Sequence, residues 1–169
     1  MYPAPRSITS YALQSLVSYL DKEYCQPMLQ LSSNVRQCAA GISEGERAER
    51  GVIRLERKLA QLAADYVELR RRAFSVFSEE ALSQSSHLPL SKKTFSGLEA
   101  RHIKLLETIA ALQEKIAAAP EGQSGPAEIK RLRQLAQRLE EMLSEFLFLE
   151  QTVLFPRIRL WESDLQKSA

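Results

Sequence analysis

The sequence predicts an all-α protein: an up-down-up-down four-helix bundle closed by a short C-terminal tail helix. Three observations predict it. Apolar residues recur every three or four positions through four long stretches, which is the period of one helix face. The connections between those stretches gather Gly, Ser and Pro, and no run alternates Val, Ile or Thr in the manner of a strand. Leu, Ala, Glu, Arg and Gln, all good helix formers, are abundant, while aromatics make up only 7%. Four amphipathic helices with three connections bury their apolar faces most simply as antiparallel neighbours around a shared core.

Residues 1–6 (MYPAPR) read as a loose lead-in, with Ser7 or Thr9 capping the first helix. That helix, about 8–38, places Leu13, Val17, Leu20, Tyr24, Met28, Leu31, Val35 and Cys38 on one face. Pro27 interrupts it, and either kinks one long helix or opens a second, because it has no N–H and clashes with the preceding turn. Residues 40–45, with Gly41, Ser43 and Gly45, form a turn.

The second helix, about 46–77, alternates spacings of three and four through Val52, Leu55, Leu59, Leu62, Tyr66, Leu69, Ala73 and Val76. Such a seam suits a bundle core or a coiled-coil dimer. Residues 78–93 lose the period and connect. The third helix, about 94–119, carries Phe95, Leu98, His102, Leu105, Ile109, Leu112 and Ile116. After the loop PEGQSGP (120–126), the fourth, about 127–155, runs through Ile129, Leu132, Ala136, Leu139, Leu143, Phe146, Glu150 and Val153. Pro156 ends or bends it, and 157–167 make an amphipathic tail. Its Leu160, Trp161 and Leu165 form either a partner surface or a cap folded back on the bundle.

At 169 residues this is one domain, 1–169, large enough for a real core. The net charge of +2, from 23 basic and 21 acidic residues, is too balanced to imply a nucleic-acid or membrane surface. The basic runs at 54–58, 70–72 and 130–133 are interleaved with acids and read as solvated faces. No apolar run is long enough to span a bilayer and the N-terminus lacks a signal-peptide pattern, so the expected location is cytoplasmic. Cys25 and Cys38 lie on one helix, about 19 Å apart along its axis and beyond disulfide reach. They read as buried thiols in a reducing compartment.

The polar residues in the seams are few. In the expected topology the C-terminal end of helix four lies beside the start of helix three and the end of helix two. Glu150, the pair Glu99 and His102, and the pair Tyr66 and Arg70 then converge at one end. A buried carboxylate is costly without a partner, and Arg70 is the best candidate for Glu150. Tyr66 and His102 each suit a core position whose polar atom finds a hydrogen bond.

FLFLEQTVLFPRI (146–158) resembles the last core helix of the hemerythrin-like proteins. It is most similar to the C-terminal motif of their bacterial di-iron iron–sulfur-cluster repair branch, approximately H-x-x-x-E-x-x-x-L-F-P-R, in which His and Glu bind iron. Glu150, Leu154, Phe155, Pro156 and Arg157 match, and Phe146 stands where the family has its histidine. A second copy of the motif is matched loosely by YVELRRRAFSVF (66–77), with Tyr66 at the histidine position and Arg70 at the glutamate position. GLEARHIKLLETI (97–109) is similar to the segment around the next ligand histidine, placing Glu99 there and His102 one turn later. Helix one offers no register and holds no histidine.

The resemblance implies a four-helix fold and a di-iron centre, but such centres use four or five histidines plus carboxylates. This chain has two, His87 in a loop and His102. Arg70 at a former ligand position would repel a cation and neutralise Glu150 and Glu99 in its place. The expectation is therefore a non-catalytic hemerythrin-like bundle that has lost its iron, binds no cofactor, and serves as a binding or regulatory protein with an unidentified protein partner. The resemblance ties it to metal, oxygen or nitric-oxide stress. One alternative is a residual metal-binding or redox stress protein using Glu99, His102 and Glu150, with iron as the ion. Another is a helical adaptor that homodimerises through the second helix. No phosphate loop, hydrolase elbow, zinc motif or activated nucleophile is present in the sequence, and no enzyme activity is expected.

Overall fold

Pro27 does not break the first helical rod. The computed structural model describes residues 10–42, 47–77, 92–118 and 127–168. Within it α1 (Ser10–Leu20) passes through a π-helical turn, Asp21–Cys25, directly into α2 (Gln26–Ala40). The N–H of Gln26 bonds to the carbonyl of Asp21, five residues back. Widening that turn accommodates the next residue, Pro27, whose ring would clash with a carbonyl in a regular turn and which has no N–H to place. The second rod is α3 (Arg47–Ala73), tightening into a 3-10 turn over Phe74–Phe77, and the third is α4 (Lys92–Ala118).

The fourth rod repeats the device of the first. Its α5 (Ala127–Leu149) runs through a π-helical turn, Glu150–Leu154, into α6 (Phe155–Ser168), with the Phe155 N–H bonded to the Glu150 carbonyl and Pro156 following. The expected helix end near 155 and separate tail from 157 are thereby corrected to one continuous rod. Gly41 and Ile42 close the first rod with turn hydrogen bonds to Gln37 and Ala39. The lead-in with Ser7 and Thr9, residues 43–46, His87 with most of its connection, and the loop 120–126 lie outside the described residues. All regular structure among the described residues is helical.

Each π turn moves the buried face by one residue. After Leu20, the inward positions of the first rod are Cys25, Met28, Ser32, Val35 and Ala39, whereas Tyr24, Leu31 and Cys38 are only half-buried. In the fourth rod Val153 is half-buried, and Leu154, Phe155, Ile158 and Trp161 face the core. In α3 the stripe Val52, Leu59, Tyr66 and Ala73 is buried as expected. Its inward companion, however, is Glu56, Ala63, Arg70 and Phe77, while Leu55, Leu62, Leu69 and Val76 pack at the core's edge. In α4, Phe95, Leu98, His102, Leu105, Ile109 and Leu112 are all buried.

The packing is uneven. α3 lies closely against α2 and α4, and α2 closely against α5, but α4 and α5 touch at few points. Among the described residues no helix is long and apolar enough to cross a membrane.

Candidate functional site: a buried polar cluster

The Glu150 carboxylate, fully buried, is the hub of the polar cluster. Arg70 of α3, 1% exposed, donates through Nε to Glu150 Oε2 at 2.8 Å. Tyr66, one turn earlier on α3, hydrogen-bonds Glu150 Oε1. His102 of α4 places Nε2 2.7 Å from the Tyr66 hydroxyl and 3.4 Å from Glu150 Oε1. With the His102 proton on Nε2 the circuit closes: that N–H is shared between the Tyr66 hydroxyl and, at longer range, Glu150 Oε1, Tyr66 donates to Glu150, and Arg70 donates to the other carboxylate oxygen.

Aromatic rings cover much of the cluster. The Arg70 guanidinium lies 4.9 Å from the Phe74 ring centre and 5.3 Å from that of Phe146, so the rings cover its face as cation–π partners. Phe146 also stacks on Tyr24 at 5.7 Å and meets Tyr66 edge-on at 6.1 Å. His102 packs 5.0 Å from Phe155, which in turn meets Phe95.

The electrostatics follow from this geometry. Burial favours the neutral acid at Glu150, but the Arg70 charge and the hydrogen bonds from His102, Tyr66 and Arg70 outweigh it and hold the carboxyl below its usual range. Burial and the Glu150 charge push the Tyr66 phenol well up. Burial pushes the Cys25 thiol up to about 12, with the Arg70 charge opposing. The cluster thus holds one fixed ion pair and neutral Tyr and Cys groups, with no nucleophile poised to react.

Of the residues expected here, Tyr66, Arg70, His102, Phe146 and Glu150 come together. Glu99 does not: it is half-exposed and ion-pairs with Arg159 of α6, whose guanidinium lies over Phe95. The charge of Arg70 therefore serves Glu150 alone. Trp161 is buried edge-on against Phe77 at 5.1 Å, with Leu160 and Leu165 half-buried beside the core. Of the two readings of the tail, a partner surface or a cap folded back on the bundle, the buried indole matches the cap, filling the end of the core beside the 3-10 turn.

Of the two cysteines read as buried thiols, Cys38 is only half-buried, while Cys25 is carried inward by the π turn to where it senses Arg70, Glu150 and Tyr66, a place the sequence did not assign it. The break at Pro27 was the available signal. Sequence reasoning missed Glu56, a second buried carboxylate, whose signal was its place two heptads before Arg70.

The Arg70 guanidinium is bonded to Glu150 and lies over the Phe146 ring, which offers no donor atom, so the side chains brought together here do not form a set of metal ligands. Among the described residues, no group of three or more His, Cys, Asp and Glu side chains converges as metal ligands. No family model, curated protein or solved structure matches the chain.

Proposed function

We propose that this chain is a hemerythrin-like four-helix bundle, up-down-up-down, in which an internal ion pair has replaced a di-iron centre, and that it works by binding a protein partner rather than by catalysis. The observation that carries this reading is the Arg70–Glu150 pair, closed by Tyr66 and His102. These residues stand in or beside the register of the family's ligands, and their charges are satisfied without a cation.

Cross-rod pairings support the topology. Asp21 with Arg71 and Arg36 with Gln61 run in opposite directions along rods one and two. Tyr66 with His102 and Gly51 with Lys115 do so for rods two and three. His102 with Glu150 and Gln113 with Glu140 do so for three and four, and Tyr24 with Glu145 and Cys38 with Glu128 for one and four.

The test is metal content. Protein expressed in iron- and manganese-supplemented medium is expected to be colourless and to carry well below one equivalent of either metal by elemental analysis. Stoichiometric iron or manganese that disappears in Glu150→Gln would overturn the reading in favour of a residual metal protein.

A further inference from the structure

Several turns along α4 and α5 from His102 and Glu150, the two helices stand apart over a groove of about 920 Å3. A Gln113–Glu140 hydrogen bond spans it. The floor is apolar, built from Leu112 and Ile116 of α4 and Ile129 and Ala136 of α5. One residue breaks that pattern. Glu56 of α3 reaches the floor 1% exposed, and neither carboxylate oxygen has a hydrogen-bond partner.

The nearest cation gives it charge but no hydrogen bond. Arg133 pairs with it at long range, Nε 3.8 Å from Glu56 Oε1 and beyond hydrogen-bond distance, and that Nε–H has no acceptor of its own. The contrast with Glu150, which accepts from three side chains, is direct. An ionised carboxylate is an acceptor only, so whatever completes this site must bring donors. A carboxylate or phosphate ligand would instead face Glu56 as a like charge.

The other charged groups at the groove are Lys130, Glu140 and Glu141, all on α5. Glu140 is taken by Gln113 and Glu141 by Gln137. From α4, Lys115 lies with its stem over Gly51 of α3. With Glu56 ionised, the lining carries one net negative charge. The volume is that of a small-molecule site.

We propose that this groove binds an amphipathic organic cation of the alkylammonium type, whose N–H donors complete the Glu56 carboxylate and whose apolar body lies on Leu112, Ile116, Ile129 and Ala136. The site is separate from the Arg70–Glu150 cluster and stands whether or not that cluster is a former metal centre. Burial pushes the Glu56 carboxyl up to about 7, with the Arg133 charge opposing. An ammonium head selects the ionised form, so its binding strengthens as pH rises through neutrality.

The probes are n-octylamine, octanoate and octanol, titrated calorimetrically into the full chain at pH 6 and pH 8. Amide NMR shifts locate the site. Octylamine is expected to bind about tenfold more tightly at pH 8, following the ionised fraction of Glu56. Shifts are expected at Glu56, Leu112, Ile116 and Ile129. Glu56→Gln, with folding checked by circular dichroism, is expected to weaken octylamine at least tenfold and to abolish its pH dependence. The proposal fails if octylamine does not bind, if Glu56→Gln binds it equally, or if octanol binds as well. Tighter binding of octanoate would also overturn it, assigning the groove to anions held by Arg133 and Lys130.

Discussion

Glu150 occupies a position where helical periodicity calls for an apolar side chain, Arg70 is buried opposite it one residue off the expected seam of α3, and each is tolerated because of the other. Removing one partner of such a buried pair strands a charge, which costs about 3–5 kcal/mol, whereas replacing both with apolar groups is often close to neutral. Arg70→Ala is therefore expected to lower stability by about that amount in urea denaturation, and Arg70→Met with Glu150→Leu to recover most of it. An Arg70→Ala protein of unchanged stability would refute the pair's structural role. The two buried carboxylates respond to pH with opposite sign. The Glu150 carboxyl is held below its unfolded value of 4.5, so its contribution is present above that pH and is lost as pH falls through the lower folded value. Glu56 is raised from 4.5 to about 7, so the folded state holds the extra proton and stability is lost as pH rises through that window. Urea titrations should accordingly find Glu56→Gln more stable than the parent by about 3 kcal/mol at pH 8, with the gap closing towards pH 4.5.

At the scale of elements, the two proline-associated π turns set which residues face inward. Because each proline follows a turn whose hydrogen bonds already skip to the fifth residue back, its missing N–H removes little. Pro27→Ala and Pro156→Ala are expected to change stability by no more than about 1 kcal/mol, against about 3 kcal/mol for Arg138→Pro in the regular, exposed middle of α5. Urea midpoints compare the three directly. Helix existence and approximate bounds were legible in the sequence because the apolar period is long and regular. The register beyond Pro27 was not. Tyr24, Leu31 and Cys38 keep the period as well as Cys25, Ser32 and Ala39 do, and one inserted residue decides between them. In α3, the leucines at 55, 62 and 69 drew the seam to the core's edge, while the inner stripe held Glu56 and Arg70, whose charges hide a buried position from any hydrophobic count.

At the scale of the whole molecule, those edge leucines are partly buried against the chain's own core, which leaves little apolar surface for a dimer through α3. Light scattering is expected to return the mass of a single chain, and a stable dimer that Leu62→Glu dissolves would overturn that expectation. The openness between α4 and α5 has no counterpart in the sequence, since both helices carry complete apolar seams. Helix period, rod count and the meeting of Tyr66, Arg70, His102 and Glu150 were determined by the sequence itself. Local spacing sets a helix face, and the proposed antiparallel order sets which ends meet. Tertiary structure alone decided that Glu99 turns outward to Arg159, that Cys25 joins the polar cluster while Cys38 does not, which of its two readings the Trp161 tail takes, and that Glu56 is left without a donor. Those outcomes depend on one-residue shifts at the π turns and on the distance between rods, and both arise only when the helices compete for the same core.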